Sequence, residues 1–335
     1  MSDPLLVAEH VTKTFASGAH TVRAVDDVSL AIEPGETLGL VGETGCGKST
    51  LARCVARLYP LSGGSVQFDG HDISSLSSRR MRPYRREMQV IFQDPYGSLN
   101  PRRRVGSIIG DGLAIHRVGD GAERRKQVQH LMEVVGLNPE HYNRFPADFS
   151  GGQRQRIGVA RALALRPKLI ICDEPVSALD VSIQAQVINL LLDLQSEFRL
   201  TYLFITHDLS IVRHVSSRIA VMYLGRIVET GTVEDLFTTS RHPYTRALLS
   251  AVPPADPDAA DSRQHVVLPG DLPSPVNPPS GCPFHPRCPR RQDDCVATMP
   301  PLEPVLDDDP EHLTACLHPL RTGEDLHPSR QDGAA

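Results

Sequence analysis

The segment Gly42-Glu-Thr-Gly-Cys-Gly-Lys-Ser-Thr50 fits the pattern G-x-x-x-x-G-K-[ST], and its reading decides the fold class. It follows a short apolar run, Glu36-Thr-Leu-Gly-Leu-Val-Gly42, and precedes a stretch of helical character. Between a strand and a helix, its glycines let backbone N–H groups curl round phosphate oxygens, and the helix N-terminus adds its partial positive charge. Lys48 is then placed to reach β- and γ-phosphates, and the Ser49 hydroxyl to ligate Mg²⁺. A chance glycine-rich turn would lack that flanking pair of elements.

Two further apolar runs lie outward from this loop. Leu169-Ile-Ile-Cys-Asp-Glu-Pro175 and Thr201-Tyr-Leu-Phe-Ile-Thr-His-Asp208 have the continuous apolar stretch of buried parallel strands. Each ends in polar chemistry at the carboxyl edge of the sheet, where ligands of such sheets bind. Asp173 is assigned to Mg²⁺, and Glu174 to the general base that polarises the attacking water. His207 sits at the same kind of edge and is assigned to a γ-phosphate contact. A lone histidine is more often structural, so this assignment rests on the edge position. Gln93, in Val90-Ile-Phe-Gln-Asp-Pro95, is suited to ligate Mg²⁺ or orient water, though alone it means little.

Composition bounds the rest. A chain of 335 residues suggests about two domains. Thirty-five basic against 40 acidic residues give a net charge of −5, which argues against a dedicated nucleic-acid binder with a strong positive field. No run reaches about 18 apolar residues, so no membrane span is expected. The N-terminus, MSDPLLVAEH, has no basic region before its short apolar stretch, so a secretory signal is not expected either. A chain kept in the cytoplasm would hold its thiols reduced. Its seven Cys then read as packing, catalytic or metal-bound residues rather than as a disulfide framework.

Proline marks the organisation, with 18 of the 28 lying from Pro243 onward. Residues 1–252 alternate strand-like and helix-like segments, the pattern of an α/β domain. Residues 253–280 read as a Pro-rich linker, 281–320 as a small Cys-rich module and 321–335 as a polar, frayed tail. Near the N-terminus Leu5–Phe15 alternates, and Asp69-Gly70 suits a tight hairpin turn. Between Gly152 and Leu165, Ile157, Ala160, Leu163 and Ala164 fall at amphipathic-helix spacing. The helix that starts at Ser150-Gly151-Gly152 offers a second set of free N–H groups, a second anion site.

At these residues the sequence resembles the ATP-binding-cassette (ABC) ATPases. Phe149-Ser-Gly-Gly-Gln-Arg-Gln-Arg156 resembles the family's signature segment, with Phe149 where Leu is commoner. Ser177-Ala-Leu-Asp180 resembles its D-loop, Gln93 its Q-loop and His207 its switch histidine. The resemblance covers about residues 5–252. More narrowly, Gln93–Arg102, His242-Pro-Tyr-Thr-Arg-Ala-Leu248 and the Cys-rich end resemble ATPase subunits of oligopeptide/dipeptide permeases, a group that includes nickel and other solute importers.

The resemblance implies a P-loop ABC ATPase domain: a RecA-like core, an antiparallel β subdomain and an α-helical subdomain. It implies ATP hydrolysis, with Mg²⁺, coupled to solute uptake as a translocase. ATP would sit between Gly42, Glu43, Thr44, Gly45, Cys46, Gly47, Lys48, Ser49 and Thr50 of one chain and Ser150, Gly151, Gly152, Gln153 and Asp180 of a head-to-tail partner. Phe15 would stack on adenine. The implied partners are a second ATPase chain (usually a paralogue), two transmembrane permease subunits and an extracytoplasmic solute-binding protein, with no nucleic acid. The implied location is peripheral, on the cytoplasmic face of the cell membrane. ABC ATPases acting on DNA or the ribosome are the rival class. They usually show tandem cassettes, a coiled-coil insertion or internal zinc modules, and this sequence shows none of these.

The cysteines divide into groups. Cys54 and Cys172 read as small core hydrophobes. Cys46, at a helix N-terminus, is expected to have a lowered pKa and to lose ATPase activity on alkylation, with ATP protecting. Cys282, Cys288, Cys295 and Cys316 are spaced C-x₅-C-x₆-C-x₂₀-C in a segment too small to bury much core, which needs a staple. Four thiolates suit a 4Fe–4S cluster or tetrahedral Zn²⁺. The loose spacing favours the cluster, and the resemblance points the same way, because some permease ATPases of this type carry one. Free thiols or an air-formed disulfide are the alternatives. The arginines at 79, 80, 82, 85, 86 and 102–104 read as a solvated or docking face.

Overall fold

The computed structural model describes residues 3–18, 20–94, 96–252, 266, 268–305, 310–324 and 326. The Pro-rich stretch 253–265 and most of the tail expected over 321–335 lie outside the described residues.

The first two strands, β1 (Leu6–Ser17) and β2 (His20–Ile32), form a long hairpin. β3 (Thr37–Val41) leaves it and leads through the glycine-rich loop into α1 (Lys48–Val55). β4 (Gly63–Phe68) and β5 (His71–Asp72) return to the hairpin, giving an antiparallel sheet of order β2-β1-β4-β5. Asp69 and Gly70 join β4 to β5, both at positive φ (51° and 73°), as a two-residue hairpin turn of the primed kind requires.

A helical stretch follows. It runs through α2 (Arg82–Glu87), β6 (Met88–Ile91), α3 (Val105–Ile115), α4 (Gly121–Val134) and α5 (Gly151–Leu163). The chain then alternates through β7 (Leu169–Asp173), α6 (Val181–Phe198), β8 (Thr201–Ile205), α7 (Leu209–Val215) and β9 (Arg218–Tyr223). β10 (Arg226–Thr232), α8 (Val233–Thr239) and α9 (Pro243–Ser250) close the cassette. The C-terminal segment adds α10 (Asp294–Ala297), β11 (Glu303–Pro304) and β12 (Leu313–Thr314).

The second sheet has the order β11-β12-β10-β9-β3-β8-β7-β6. From β9 to β6 it is parallel, and β10, β12 and β11 extend it antiparallel. Strand alternation divides the core in two. Leu169, Ile171, Leu203 and Ile205 face α1 and the antiparallel sheet, and Ile170, Cys172, Tyr202 and Phe204 face the helices α3 to α6. Helix α1, with Leu51, Cys54 and Val55 fully buried, is therefore clasped between two sheets, and its N-terminus is fixed at the carboxyl edge of the parallel one.

The C-terminal segment is packed onto the cassette. Cys282, Phe284 and Cys295 share a core with Tyr223 and Tyr244. Leu326, within the stretch read as frayed, is buried with Ala247 and Leu320, so its apolar side chain ties that point down.

Candidate active site

β3 ends at Val41 and the backbone turns through positions that only glycine tolerates. Gly42 has φ 151° and Gly47 has φ 113°. A Cβ at Gly42 would lie 2.2 Å from the Met222 carbonyl oxygen, and one at Gly47 would lie 2.1 Å from that of Ala24. α1 starts at Lys48 with no side-chain cap and no acidic residue in its first turn, so its leading N–H groups stay available to an anion. Lys48 is buried, and its Nζ donates to the carbonyl oxygens of Gly42 (2.7 Å) and Glu43 (2.9 Å). The loop opens on a cavity of about 540 Å³ lined by Thr44 to Thr50, Gln93, Glu174, Ser177 and His207, among others.

The strand ends supply the acid–base groups. The Ser49 hydroxyl donates to Asp173 Oδ1 at 2.7 Å. Burial pushes the Asp173 carboxyl up from its usual range, and the Ser49 bond opposes that shift. Glu174 follows with φ 48°, a left-handed backbone unusual for a glutamate, and its N–H donates to Ile205 O of β8. Gln93 Nε2 donates to Glu174 Oε2 at 2.8 Å, and His207 Nδ1 lies 3.5 Å from Glu174 Oε1. The carboxylate at the end of β7 thus meets groups from the ends of the two strands beside it, β6 and β8.

The remaining sequence-assigned residues lie elsewhere. Ser150 caps α5: its hydroxyl accepts from Gln153 N–H (3.4 Å), and Gln153 Oε1 accepts from Ser150 N–H (3.0 Å). Ser150 and Asp180 are exposed, and neither they nor Gly151, Gly152 and Gln153 line the loop cavity. Phe15 does not line it either. It stands edge-on to Tyr59 with Lys13 Nζ 4.9 Å from its ring centroid, while its cross-strand neighbour Val22 reaches the cavity.

One expectation is corrected. Cys46 is 1% exposed, and burial pushes its thiol up, outweighing the charge and hydrogen bonds of Lys48. Cys54 and Cys172 are buried core residues, as their surroundings in the sequence suggested.

Cys282, Cys288, Cys295 and Cys316 line one small cavity of about 20 Å³. Burial pushes the Cys288 thiol to about 11 and that of Cys316 to about 12. Among the described residues, no three of these sulfurs lie within 4.8 Å of one another; the tight trio of candidate ligands is Asp294, Cys295 and His318.

Sequence reasoning missed two contacts. The Tyr244 hydroxyl accepts from the Glu43 N–H at 3.0 Å. Arg287 Nη1 donates to both Glu43 carboxylate oxygens, at 2.9 and 3.0 Å. The pair spans 244 positions, so no local pattern marks it.

Comparison with known proteins agrees with this geometry. The ABC transporter family matches residues 25–177, and the oligopeptide/dipeptide transporter C-terminal region matches residues 228–295. The oligopeptide transport ATP-binding protein AppF of Bacillus subtilis is 52% identical over 88% of this chain and 89% of its own. A Brucella ovis protein provisionally named for peptide import ATP binding is 52% identical over 94% of this chain and 98% of its own. The cassette MJ0796, solved as a dimer in a post-hydrolysis state with ADP and Pi, is 29% identical with a TM-score of 0.63, over 68% of this chain and 98% of its own. Among the described residues no helix is long and apolar enough to cross a membrane. With half its residues shared with relatives across nearly their whole length, and a phosphate loop backed by Asp173, Glu174 and His207, the chain belongs to the ABC ATPases of the oligopeptide/dipeptide transporter family.

Proposed function

We propose that this chain binds and hydrolyses ATP to drive import of oligopeptides or dipeptides through partner membrane subunits. The grip of Gln93 and His207 on Glu174, at the mouth of the phosphate loop, carries this reading. The loop N–H groups from Thr44 to Thr50 and the Lys48 ammonium bind the β- and γ-phosphates. Lys48 has two carbonyl oxygens and the weakly accepting Cys46 sulfur, 3.8 Å away, to exchange for them, so a phosphate improves its partners. Ser49, Gln93 and Asp173 supply the oxygen donors that Mg²⁺ requires, and the buried Asp173 carboxyl gains from a cation beside it. When bound, the ion neutralises charge on the β- and γ-phosphates.

Gln93 occupies Oε2 of Glu174 and leaves Oε1 to take the proton of the attacking water. The water oxygen bonds to the γ-phosphorus, the bond to the bridging oxygen breaks, and ADP leaves with that electron pair. His207, on the Oε1 side, contacts the γ-phosphate. Phe15 stacks on adenine. Ser150, Gly151, Gly152, Gln153 and Asp180 complete the site of a head-to-tail second ATPase, at the cytoplasmic face of the membrane, with a solute-binding protein delivering cargo. Replacing Glu174 with Gln removes the base and keeps the shape. Hydrolysis should fall by roughly 10²- to 10⁴-fold with ATP binding retained. Near-normal turnover would sink the base assignment.

The same reading divides the chain into a nucleotide-binding domain (1–252), a linker (253–280), a Cys-rich module (281–320) and a tail (321–335). It gives Cys282, Cys288, Cys295 and Cys316 a 4Fe–4S cluster. Their common cavity and burial support a shared ligand, which must displace the protons those raised thiols hold at neutral pH. Iron and sulfide in a 4:4 ratio in anaerobically purified protein is the expected analysis.

A further inference from the structure

Glu43, the first variable residue of the phosphate loop, is held at three points, each by a different part of the molecule. Its N–H donates to the Tyr244 hydroxyl of α9, its carboxylate accepts from Arg287, and its carbonyl oxygen accepts from Lys48 Nζ. Glu43 does not line the loop cavity, so its side chain faces the C-terminal segment rather than the nucleotide. Arg287 is 7% exposed and sits between Cys282 and Cys288. Its Nε donates to Pro269 O at 3.1 Å. Phe284, three residues earlier, packs on Tyr244 and Tyr223 with ring centroids 5.4 and 5.3 Å apart. The segment also reaches the cavity at Pro275, whose carbonyl accepts from Arg23 N–H.

We propose that Arg287 is a positioning residue for ATP: by clamping Glu43 it fixes the loop carbonyl that aims Lys48, and so couples the cysteine-bearing segment to the phosphate cradle. The inference deepens the ATPase reading and rests on it. Loss of the clamp acts on binding before chemistry, because Gln93, Glu174 and His207 are untouched. The coupling is reciprocal, so ATP must also tighten the segment that carries Arg287.

The test uses the full purified chain with its metal content preserved. ATP affinity, KM and kcat are measured for wild type, Arg287→Met, Arg287→Lys, Glu43→Gln and the double variant Arg287→Met/Glu43→Gln. Amide hydrogen exchange over residues 281–297 is followed with and without ATP. Arg287→Met should raise the ATP KM by about 5- to 50-fold with kcat within about twofold. Glu43→Gln should do the same, and the double variant should be no worse than either single. Arg287→Lys should recover most of the affinity, because a single nitrogen makes both contacts. ATP should slow exchange in 281–297 of the wild type and not of Arg287→Met. An unchanged KM in Arg287→Met, additive effects in the double variant, or ATP-insensitive exchange in the wild type would overturn the coupling. If Arg287→Met does not fold, Glu43→Gln decides by the same criteria. A wild type that binds no ATP would instead overturn the ATPase reading beneath it.

Discussion

Single residues in this site carry conflicts between burial and charge, and those conflicts are open to measurement. Cys46 lies in the loop beside Lys48, yet burial keeps its thiol protonated. Native protein should therefore react with iodoacetamide at Cys46 far more slowly than unfolded protein, as peptide mass spectrometry would show. Rapid native labelling would contradict the burial. Gly47 is the sharper case. Alanine there meets the Ala24 carbonyl at 2.1 Å in a backbone region that rejects a side chain. Gly47→Ala should lose ATP binding by at least about tenfold and cost about 1–3 kcal/mol in urea unfolding. The placement of Lys48, Asp173 and Glu174 beside the loop was readable because the loop motif and the apolar strand run fix where such residues fall. The Cys46 thiol was misread because a helix N-terminus is visible in sequence and the degree of burial is not.

Elements tie the C-terminal segment to the cassette through a buried polar knot. Glu229 on β10 is fully buried and accepts from the N–H groups of Arg241 and His242, and it pairs with His312 Nε2 at 2.8 Å. His242 Nδ1 in turn accepts from Tyr244 N–H and caps α9. Removing the carboxylate strands these donors, so Glu229→Ala should cost about 3–5 kcal/mol, read from urea midpoints. Burial lowers the His242 pKa to about 4, against the pull of Glu229. Between pH 6.5 and 4 the unfolded chain takes up a proton that the folded chain refuses. Stability therefore falls as pH drops through that window, by up to about 3 kcal/mol. Urea unfolding from pH 7 to 4.5 should show a steeper decline for wild type than for His242→Gln, and equal slopes would refute it. Elements with a clear apolar pattern were legible: the continuous runs of β7 and β8 and the amphipathic spacing of α5. β12 was not, because two residues of sheet extension carry no period, and its place is set by Glu229 and His312 across 83 positions.

At the scale of the molecule, the head-to-tail pairing proposed above rests on the separation of the phosphate loop from the N-terminus of α5 within one chain. Ser150 is exposed and clear of its own loop cavity. On the proposed pairing, Ser150→Arg should therefore leave ATP affinity within about twofold while turnover falls by about 10²-fold. A parallel loss of affinity in the isolated chain would place Ser150 in its own site instead. The core with its antiparallel β subdomain was implied by the family resemblance, and the clasping of α1 between the two sheets emerged from the structure. The contact between the cysteine-bearing segment and the loop was not legible in the sequence, because it joins parts of the chain that share no pattern.

That contact also sets an order in time. Glu43 leaves the ribosome 244 residues before Arg287 does. At about 5–20 residues per second this is a delay of roughly 12–50 s, during which the cassette strands can pair and α1 can dock while the loop lacks its clamp. A nascent or prematurely ended chain would own every catalytic group and still hold nucleotide poorly. On the coupling proposed above, the loop is thus the last part of the nucleotide site to be set, after every catalytic group is already in the chain.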